Sequence, residues 1–182
     1  MGRITIAISG PPGAGTSSIA KELAKRLKIK FFSPGRVQKS YAKTKKESLA
    51  ALKVWRTKFG KSEEFHRNIL DKQQIEIAKK GNVVICGKLS IKMLESLADF
   101  RIWVDTSLEV RAGRVSKRDG MPIQEARKLI SQREEIERKG WGKIYGFDYL
   151  DQKKLAGLIV DNSKITLEQA VENILQFIKN KS

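Results

Sequence analysis

A glycine-rich segment near the N-terminus has the residue types and spacing of a phosphate-binding loop. It follows the apolar run 4–8 and reads Gly10-Pro11-Pro12-Gly13-Ala14-Gly15-Thr16-Ser17-Ser18. Glycines at this spacing let successive backbone N–H groups point toward phosphate oxygens, and the N-terminus of a following helix adds partial positive charge. Ser17 stands where a hydroxyl would ligate Mg²⁺. The segment therefore predicts that these nine residues bind the phosphates of a nucleoside triphosphate, with Mg²⁺ at Ser17.

Thr16 is the residue of this loop that departs from the usual pattern. Most such loops have a lysine at this position, which neutralises charge on the β- and γ-phosphates during phosphoryl transfer. Because threonine is uncharged, transfer would be slower or would need a cation from elsewhere in the chain. We therefore count Thr16 among the candidate catalytic residues and expect arginines further along the chain to supply the charge.

The composition indicates a partner that carries negative charge. The 182-residue chain has 37 Lys and Arg against 20 Asp and Glu, which gives a formal net charge of +17. Such a charge attracts nucleotides, nucleic acid or anionic lipid. The alternative is a lysine-rich surface of a thermophile, although such surfaces usually balance Lys with Glu.

Cysteine and histidine are too few for several classes of site. Cys86 and His66 are each the single residue of their type. One cysteine excludes an internal disulfide and gives no zinc spacing, and one histidine argues against a metal cluster built on imidazole. The N-terminal run is shorter than a signal peptide, and no segment approaches membrane-spanning length. We therefore expect a cytoplasmic protein with no membrane partner.

Short apolar runs alternate with helical patterns along the chain. The strand candidates are residues 4–9, 30–33, 82–86, 100–105 and 157–161. Thr166 with Gln169, and Thr106 with Glu109, have the spacing of capping boxes that open helices. This alternation predicts an α/β fold with right-handed crossovers, a parallel sheet, and ligands at the carboxyl edge of its strands.

Two segments interrupt the alternation within what we expect to be one domain over residues 1–182. Residues 36–80 are helical and polar and contain no strand pattern. Residues 119–150 are charged, with predicted breaks at Gly120-Met121-Pro122 and at Gly140-Trp141-Gly142.

The segment from Ile8 to Ala20 resembles the start of archaeal-type cytidylate kinases, in which threonine commonly fills the lysine position. The resemblance covers nearly the whole chain, and its further matching segments are 71–74, 78–84, 102–105, 108–112, Arg114, Arg118 and 145–148. It implies the three-layer fold of P-loop kinases, with a five-stranded parallel sheet flanked by helices. It also implies that residues 36–80 form a helical acceptor-binding arm and residues 119–150 a lid. The implied activity is an ATP-dependent transfer from Mg²⁺-ATP to CMP or a related nucleoside monophosphate.

The resemblance assigns roles to four arginines. Arg114 is similar to the residue that packs on the donor adenine, and Arg118 to one that contacts the donor phosphates. Arg133 and Arg138 would lie near one face of the lid helix and cover the transferring phosphoryl group as catalytic residues; a solvated helix face is the alternative for both. No general base is required, because the acceptor's phosphate is already an anionic nucleophile.

The acceptor side departs most from the family pattern. The candidate acceptor-binding residues are Arg36, Lys39, Asp71, Lys72 and Lys88. Several of them differ from what the resemblance implies: Cys86-Gly87-Lys88 stands where the family has Glu-Gly-Arg, and Gln38-Lys39 where it has Phe-Arg. Arg and Lys are not equivalent where a planar fork grips a phosphate or a base edge. Cytosine recognition therefore does not follow from the resemblance alone.

The positive charge is concentrated in residues 36–61. This segment holds nine basic residues against Glu47, a local net charge of +8, with Tyr41, Trp55 and Phe59 among them. Basic residues interleaved with aromatic ones suit RNA or ribosome binding, so an RNA-binding derivative of the kinase fold with lost or repurposed transfer is the rival hypothesis. A kinase whose acceptor is an RNA end is a third possibility. For Trp55 and Phe59 we favour a small core of the arm itself.

Overall fold

The computed structural model describes residues 3–42, 44 and 47–181. Three of the basic positions in the 36–61 segment, Lys43, Lys45 and Lys46, lie outside the described residues. No described helix is long and apolar enough to cross a membrane.

A five-stranded, fully parallel sheet forms the centre of the molecule, which confirms the predicted fold class. The strands are β1 Thr5–Ser9, β2 Lys30–Phe32, β3 Val83–Cys86, β4 Phe100–Asp105 and β5 Leu158–Asp161. Their order in the sheet is β2-β3-β1-β4-β5, so β1 is central and pairs with β3 on one side and β4 on the other. The apolar runs of the sequence predicted each strand to within one residue at either end.

Helices cover both faces of the sheet. The α-helices are α1 Thr16–Leu27, α2 Pro34–Ser40, α3 Glu47–Trp55, α4 Lys72–Lys80, α5 Ser90–Met93, α6 Leu108–Asp119, α7 Ile123–Tyr145 and α8 Leu167–Lys181. A π-helix, Glu64–Asp71, runs directly into α4, and 3₁₀ helices span Phe59–Lys61 and Tyr149–Leu155.

Alternation along the strands divides the core into two layers. Ile6 and Ile8 of β1 face α1 and α8, while Ala7 between them faces the side covered by α4 and α5. Successive side chains of a strand point to opposite faces, so a strand buried on both sides is apolar throughout. The carboxyl ends of all five strands consequently meet at one edge, where a ligand site is expected.

One of the two predicted capping boxes is correct. Thr166 Oγ1 accepts from the Gln169 backbone N–H, and the Gln169 side chain accepts from the Thr166 N–H. The Thr106–Glu109 box is wrong because α6 begins one residue later, and Ser107 caps it by accepting from the Val110 N–H.

The predicted break at Gly140-Trp141-Gly142 is also wrong. Helix α7 runs without interruption through all three residues, whereas the break before it, at Gly120-Met121-Pro122, is confirmed. A Cβ on Gly140 would lie 2.3 Å from the Trp55 ring. Glycine is therefore needed for the close approach of α3 to α7, although a glycine inside a helix loses more backbone entropy on folding than other residues do.

Trp55 and Phe59 of the arm pack on different neighbours, which touch each other through His66 and Phe65. Trp55 is buried and packs on His66 and on Trp141 of α7. Phe59 is 41% exposed and contacts Tyr41 and Phe65 instead. The predicted shared core of Trp55 and Phe59 is thus wrong, because Trp55 packs the arm against the lid helix.

His66 should make the stability of this arm–lid contact depend on pH. Its Nδ1 accepts from Trp141 Nε1, so its Nε2 carries the proton and donates to the Gly60 carbonyl. Burial lowers the pKa of His66 to about 4. As pH decreases, His66 of the unfolded chain takes up a proton near pH 6.5, whereas His66 of the folded chain takes one up only near pH 4. The free energy of unfolding therefore falls as pH decreases across that window.

We expect His66 to account for a loss of about 3 kcal/mol in the free energy of unfolding between pH 7 and pH 4. Urea unfolding of the wild type and of His66→Phe at both pH values measures it, because the other titrating groups are common to the two proteins. A wild type that loses no more stability than His66→Phe over this range would contradict the assignment.

Candidate active site

The phosphate-binding loop has the geometry that its glycines predict. Gly13 and Gly15 adopt φ values of 82° and 83°, in the left-handed region that side chains other than glycine rarely occupy. A Cβ on Gly10 would lie 2.4 Å from the Val104 carbonyl oxygen of β4. Helix α1 begins at Thr16, directly after Gly15. The loop therefore ends on a helix N-terminus at the carboxyl edge of the sheet, where anions are stabilised.

Side chains from outside the loop, Arg111 and Asn162 among them, hold it in place by donating to its carbonyl oxygens. Arg111 of α6 is 7% exposed and donates from Nη1 to the Pro12 carbonyl at 3.0 Å. The same guanidinium binds the Thr106 carbonyl and Glu134 of α7. Asn162, after β5, donates to the Ala14 carbonyl at 2.9 Å. The sequence placed Arg111 in a family motif but gave it no role, because its partners are spread over three distant segments.

A cavity of about 400 Å³ lies in front of this loop; it is called the larger cavity because a second cavity beside it is smaller. Six cationic side chains line it: Lys21, Lys39, Lys88, Arg114, Arg118 and Arg133. Thr16, Ser17 and Ser18 add hydroxyl groups, and none of the described lining residues is acidic. A cavity with cationic side chains and no carboxylate suits a polyphosphate, because the charges that a triphosphate brings are balanced on all sides.

Arg114 and Arg118, four residues apart on α6, both line the larger cavity. Arg114 donates to the Ala14 carbonyl and to both the side chain and the backbone carbonyl of Asn162. Arg118 pairs with Asp119 at 2.7 Å. The fixed position of Arg114 beside the loop is compatible with packing against a bound donor nucleotide.

Ser17 offers one oxygen for a cation beside the phosphates. Its Oγ lies 4.0 Å from the Sγ of Cys86, a thiol whose pKa is raised by burial and which is therefore neutral. Within the described residues no group of three or more His, Cys, Asp or Glu could hold a metal alone. Mg²⁺ usually keeps several waters and takes its remaining ligands from substrate phosphates, so the Ser17 hydroxyl fits a Mg²⁺ that arrives with a nucleotide.

Lys88 brings a cationic side chain to the phosphate loop, in which Thr16 occupies the usual lysine position. Its Nζ donates to the Gly10 carbonyl oxygen of the phosphate loop. Burial lowers the pKa of Lys88 to about 7, while the nearby Glu137 carboxylate opposes the shift. The Lys88 amino group thus lies next to the phosphate loop, although the loop follows β1 and Lys88 follows the neighbouring strand β3.

A smaller cavity of about 50 Å³ adjoins the first between the arm and the lid helix. Gly35, Lys88 and Arg133 line both cavities. Arg133 donates to Glu137 at 2.7 Å, and because Glu137 is fully buried this ion pair fixes the guanidinium where the cavities meet. Two cations therefore stand at the junction between a phosphate site and a second site.

The structure brings together some of the predicted acceptor residues and not others. Lys39 lines the larger cavity, Asp71 the smaller one, and Lys88 both. Arg36 and Lys72 are exposed and line neither.

Arg138 also lies outside both cavities. It pairs with Asp148 and lines a surface groove on the far side of α7. Of the two lid arginines, Arg133 is the one placed at the phosphate site.

Comparison with known proteins agrees with this geometry. Residues 5–164 match the model of the cytidylate kinase-like family. A cytidylate kinase of Pyrococcus horikoshii is 37% identical over 165 residues, which cover 89% of this chain and 81% of that protein. A cytidylate kinase of Methanocaldococcus jannaschii is 35% identical over 181 residues, which cover 96% and 97%.

Solved structures with the same fold include shikimate kinases of low sequence identity. The enzyme from Acinetobacter baumannii in complex with shikimate has a TM-score of 0.67 and 13% identity, covering all of this chain and 96% of that one. The enzyme from Aquifex aeolicus has a TM-score of 0.60 and 20% identity, with 98% of each chain covered. At these identities the likeness shows the fold alone.

Proposed function

Because the chain belongs to the cytidylate kinase-like family and is a nucleoside monophosphate kinase, we propose that it transfers a phosphoryl group from Mg²⁺-ATP to CMP or a closely related nucleotide. The observation that carries the proposal is the junction of the two cavities. A donor site with six cationic residues and no described acid meets a second site at Lys88 and Arg133. A donor in the larger cavity and an acceptor whose base enters the smaller one would place their phosphates next to the same two cations.

The donor would bind in the larger cavity. Its phosphates would lie on the loop from Gly10 to Ser18, with Arg118 beside them and Arg114 against the base. Bound Mg²⁺ would supply further neutralisation of the phosphate charge through Ser17. The contacts of Arg111 and Asn162 keep the loop in its binding conformation before the nucleotide arrives, which lowers the cost of binding.

The reaction would proceed without a general base. An acceptor phosphate is already anionic, so catalysis consists of alignment and stabilisation of the transferring group. Thr16 brings no charge, and we assign the missing cation to Lys88, with Arg133 as a second cation at the same junction. Lys39 would hold the acceptor's phosphate, since it is the cationic residue of the arm that lines the larger cavity.

The rival RNA-binding function has weaker support. Trp55 is 1% exposed, so it is not available to stack on a base. The relatives are named cytidylate kinases, and the six cationic residues around the larger cavity lie on α1, α2, α6, α7 and just after β3.

A coupled assay with a panel of monophosphates tests the proposal. We expect CMP to give the highest kcat/KM at saturating Mg²⁺-ATP, lower values for UMP, AMP and GMP, and no turnover of shikimate. No transfer to any nucleoside monophosphate would overturn the proposed function. In that event, RNA retention that weakens steeply between low and moderate salt would favour the rival.

A further inference from the structure

The amide nitrogen of Gln38 is a buried hydrogen-bond donor without a partner, and Gln38 is one of the residues that line the smaller cavity. Gln38 lies on α2, is 5% exposed, and its Nε2 donates to no described residue. It lines the smaller cavity together with Asp71 and Gln74. Buried polar groups are nearly always paired, and leaving one unpaired costs about 1–3 kcal/mol. Because Gln38 lines this cavity, a turn of its amide would let a ligand there accept the hydrogen bond that is now unmade.

Asp71 gives the same cavity a hydrogen-bond acceptor. Its two oxygens accept from Gln74 Nε2, at 2.9 Å, and from the Tyr145 hydroxyl. Gln74 is held in turn by Ser90. An ionised carboxylate has about four acceptor positions, so these contacts orient Asp71 and leave lone pairs for a further donor.

The cavity is large enough for the edge of a base. At about 50 Å³ it admits part of a planar ring, while the sugar and phosphate would occupy the larger cavity through the shared wall at Gly35 and Lys88. Cytosine carries a ring-nitrogen acceptor beside an amino group, which matches one donor and one acceptor on the wall. Uracil carries an N–H and a carbonyl at these positions, so both contacts would be mismatched.

We propose that the Gln38 side chain donates a hydrogen bond to the base of the acceptor nucleotide and so helps to select cytosine over uracil. The inference rests on the proposed function, and it assigns a specificity role to a residue on the arm. Helix α2 positions both contacts of the arm, because Lys39 lines the larger cavity, where the acceptor's phosphate would lie, and Gln38 lines the smaller one, where its base would lie.

Binding of CMP, UMP and ribose 5-phosphate to the wild type and to Gln38→Met tests the role of the amide. Methionine keeps the length of the side chain and removes the donor. We expect about tenfold weaker CMP binding, a smaller preference for CMP over UMP, and ribose 5-phosphate affinity within about twofold of the wild type. Unchanged Mg²⁺-ATP affinity would show that the fold is intact. If Gln38→Met does not bind Mg²⁺-ATP normally, Gln38→Leu, which removes the amide without adding a charge, is compared in the same way.

The outcomes separate this inference from the proposed function. Equal losses of CMP and ribose 5-phosphate affinity, or an unchanged CMP-to-UMP ratio, would overturn the role of Gln38 while leaving a kinase that phosphorylates CMP. A wild type that neither binds nor phosphorylates any nucleoside monophosphate would overturn both.

Discussion

Replacing Lys88 with methionine is expected to lower kcat/KM for phosphoryl transfer by a factor of about 10² to 10³. Lys88 lies beside Gly10 at the junction of the two cavities, and the loop itself has the uncharged Thr16. Loss of one preorganised group that stabilises charge in the transition state typically costs this much. Steady-state kinetics with varied CMP and with varied ATP measure the change and show which substrate it affects.

The pH profile distinguishes a charged Lys88 from a merely structural one. Its pKa is lowered to about 7 by burial, so its ammonium form is lost as pH rises through 7. If the charge is required, kcat/KM of the wild type falls above pH 7, because this parameter reports the free enzyme. Lys88→Arg should keep part of the activity and move the alkaline fall to higher pH, since a guanidinium does not deprotonate in this range.

The matched control is Lys92→Met. Lys92 is on α5, four residues along the chain, and its ammonium group is half-exposed and paired with Glu95. We expect kinetic parameters close to those of the wild type, since exposed ion pairs contribute little. An alkaline limb that is the same in Lys88→Arg and in the wild type would show that another group titrates there.

The sheet and the phosphate loop could be predicted because their signals are local. Apolar runs specify buried parallel strands wherever they occur, and the glycines at 10, 13 and 15 satisfy constraints within the loop and at the adjacent β4. Gly140 shows the limit of such reasoning. A glycine in a helical pattern is compatible with a break or with close packing, and only the position of Trp55, 85 residues earlier, decides between them.

The arrangement of the catalytic cations depends on contacts distant in the sequence. Arg133 and Arg138 have similar sequence surroundings, yet Glu137 holds the first at the cavity junction and Asp148 holds the second on the opposite side of α7. In the sequence, Gln38 is a departure from the phenylalanine of the family motif. That its amide is buried and unpaired follows only from the folded structure, in which residues of α2, the π-helix and α7 surround one cavity. Neither the ion pairs of these arginines nor the packing around Gln38 can be predicted from residue spacing, because both depend on how distant segments meet.

Replacing Arg111 with methionine is expected to lower the free energy of unfolding by about 3–5 kcal/mol and to weaken Mg²⁺-ATP binding at least about tenfold. The variant leaves the Pro12 and Thr106 carbonyls without their donor and leaves Glu134 without its cation. Removing one partner of this partly buried ion pair is costly because the remaining carboxylate stays largely desolvated. ATP affinity should fall as well, since the Pro12 carbonyl is then free to turn toward the phosphates.

Arg127→Met provides the comparison for Arg111, because both arginines join α6 to α7. Arg127 is 57% exposed and lies 3.6 Å from Glu109, so its removal should change stability by less than about 0.5 kcal/mol. Urea unfolding and calorimetric titration of Mg²⁺-ATP, applied to both variants, measure the two effects.

Adding Glu134→Gln to Arg111→Met should recover part of the stability and little of the ATP affinity, because it removes the unpaired charge and leaves the loop unsupported. If Arg111→Met loses stability but binds Mg²⁺-ATP as the wild type does, the loop holds its conformation without Arg111, and the helix N-terminus with the glycine backbone suffices to bind the donor.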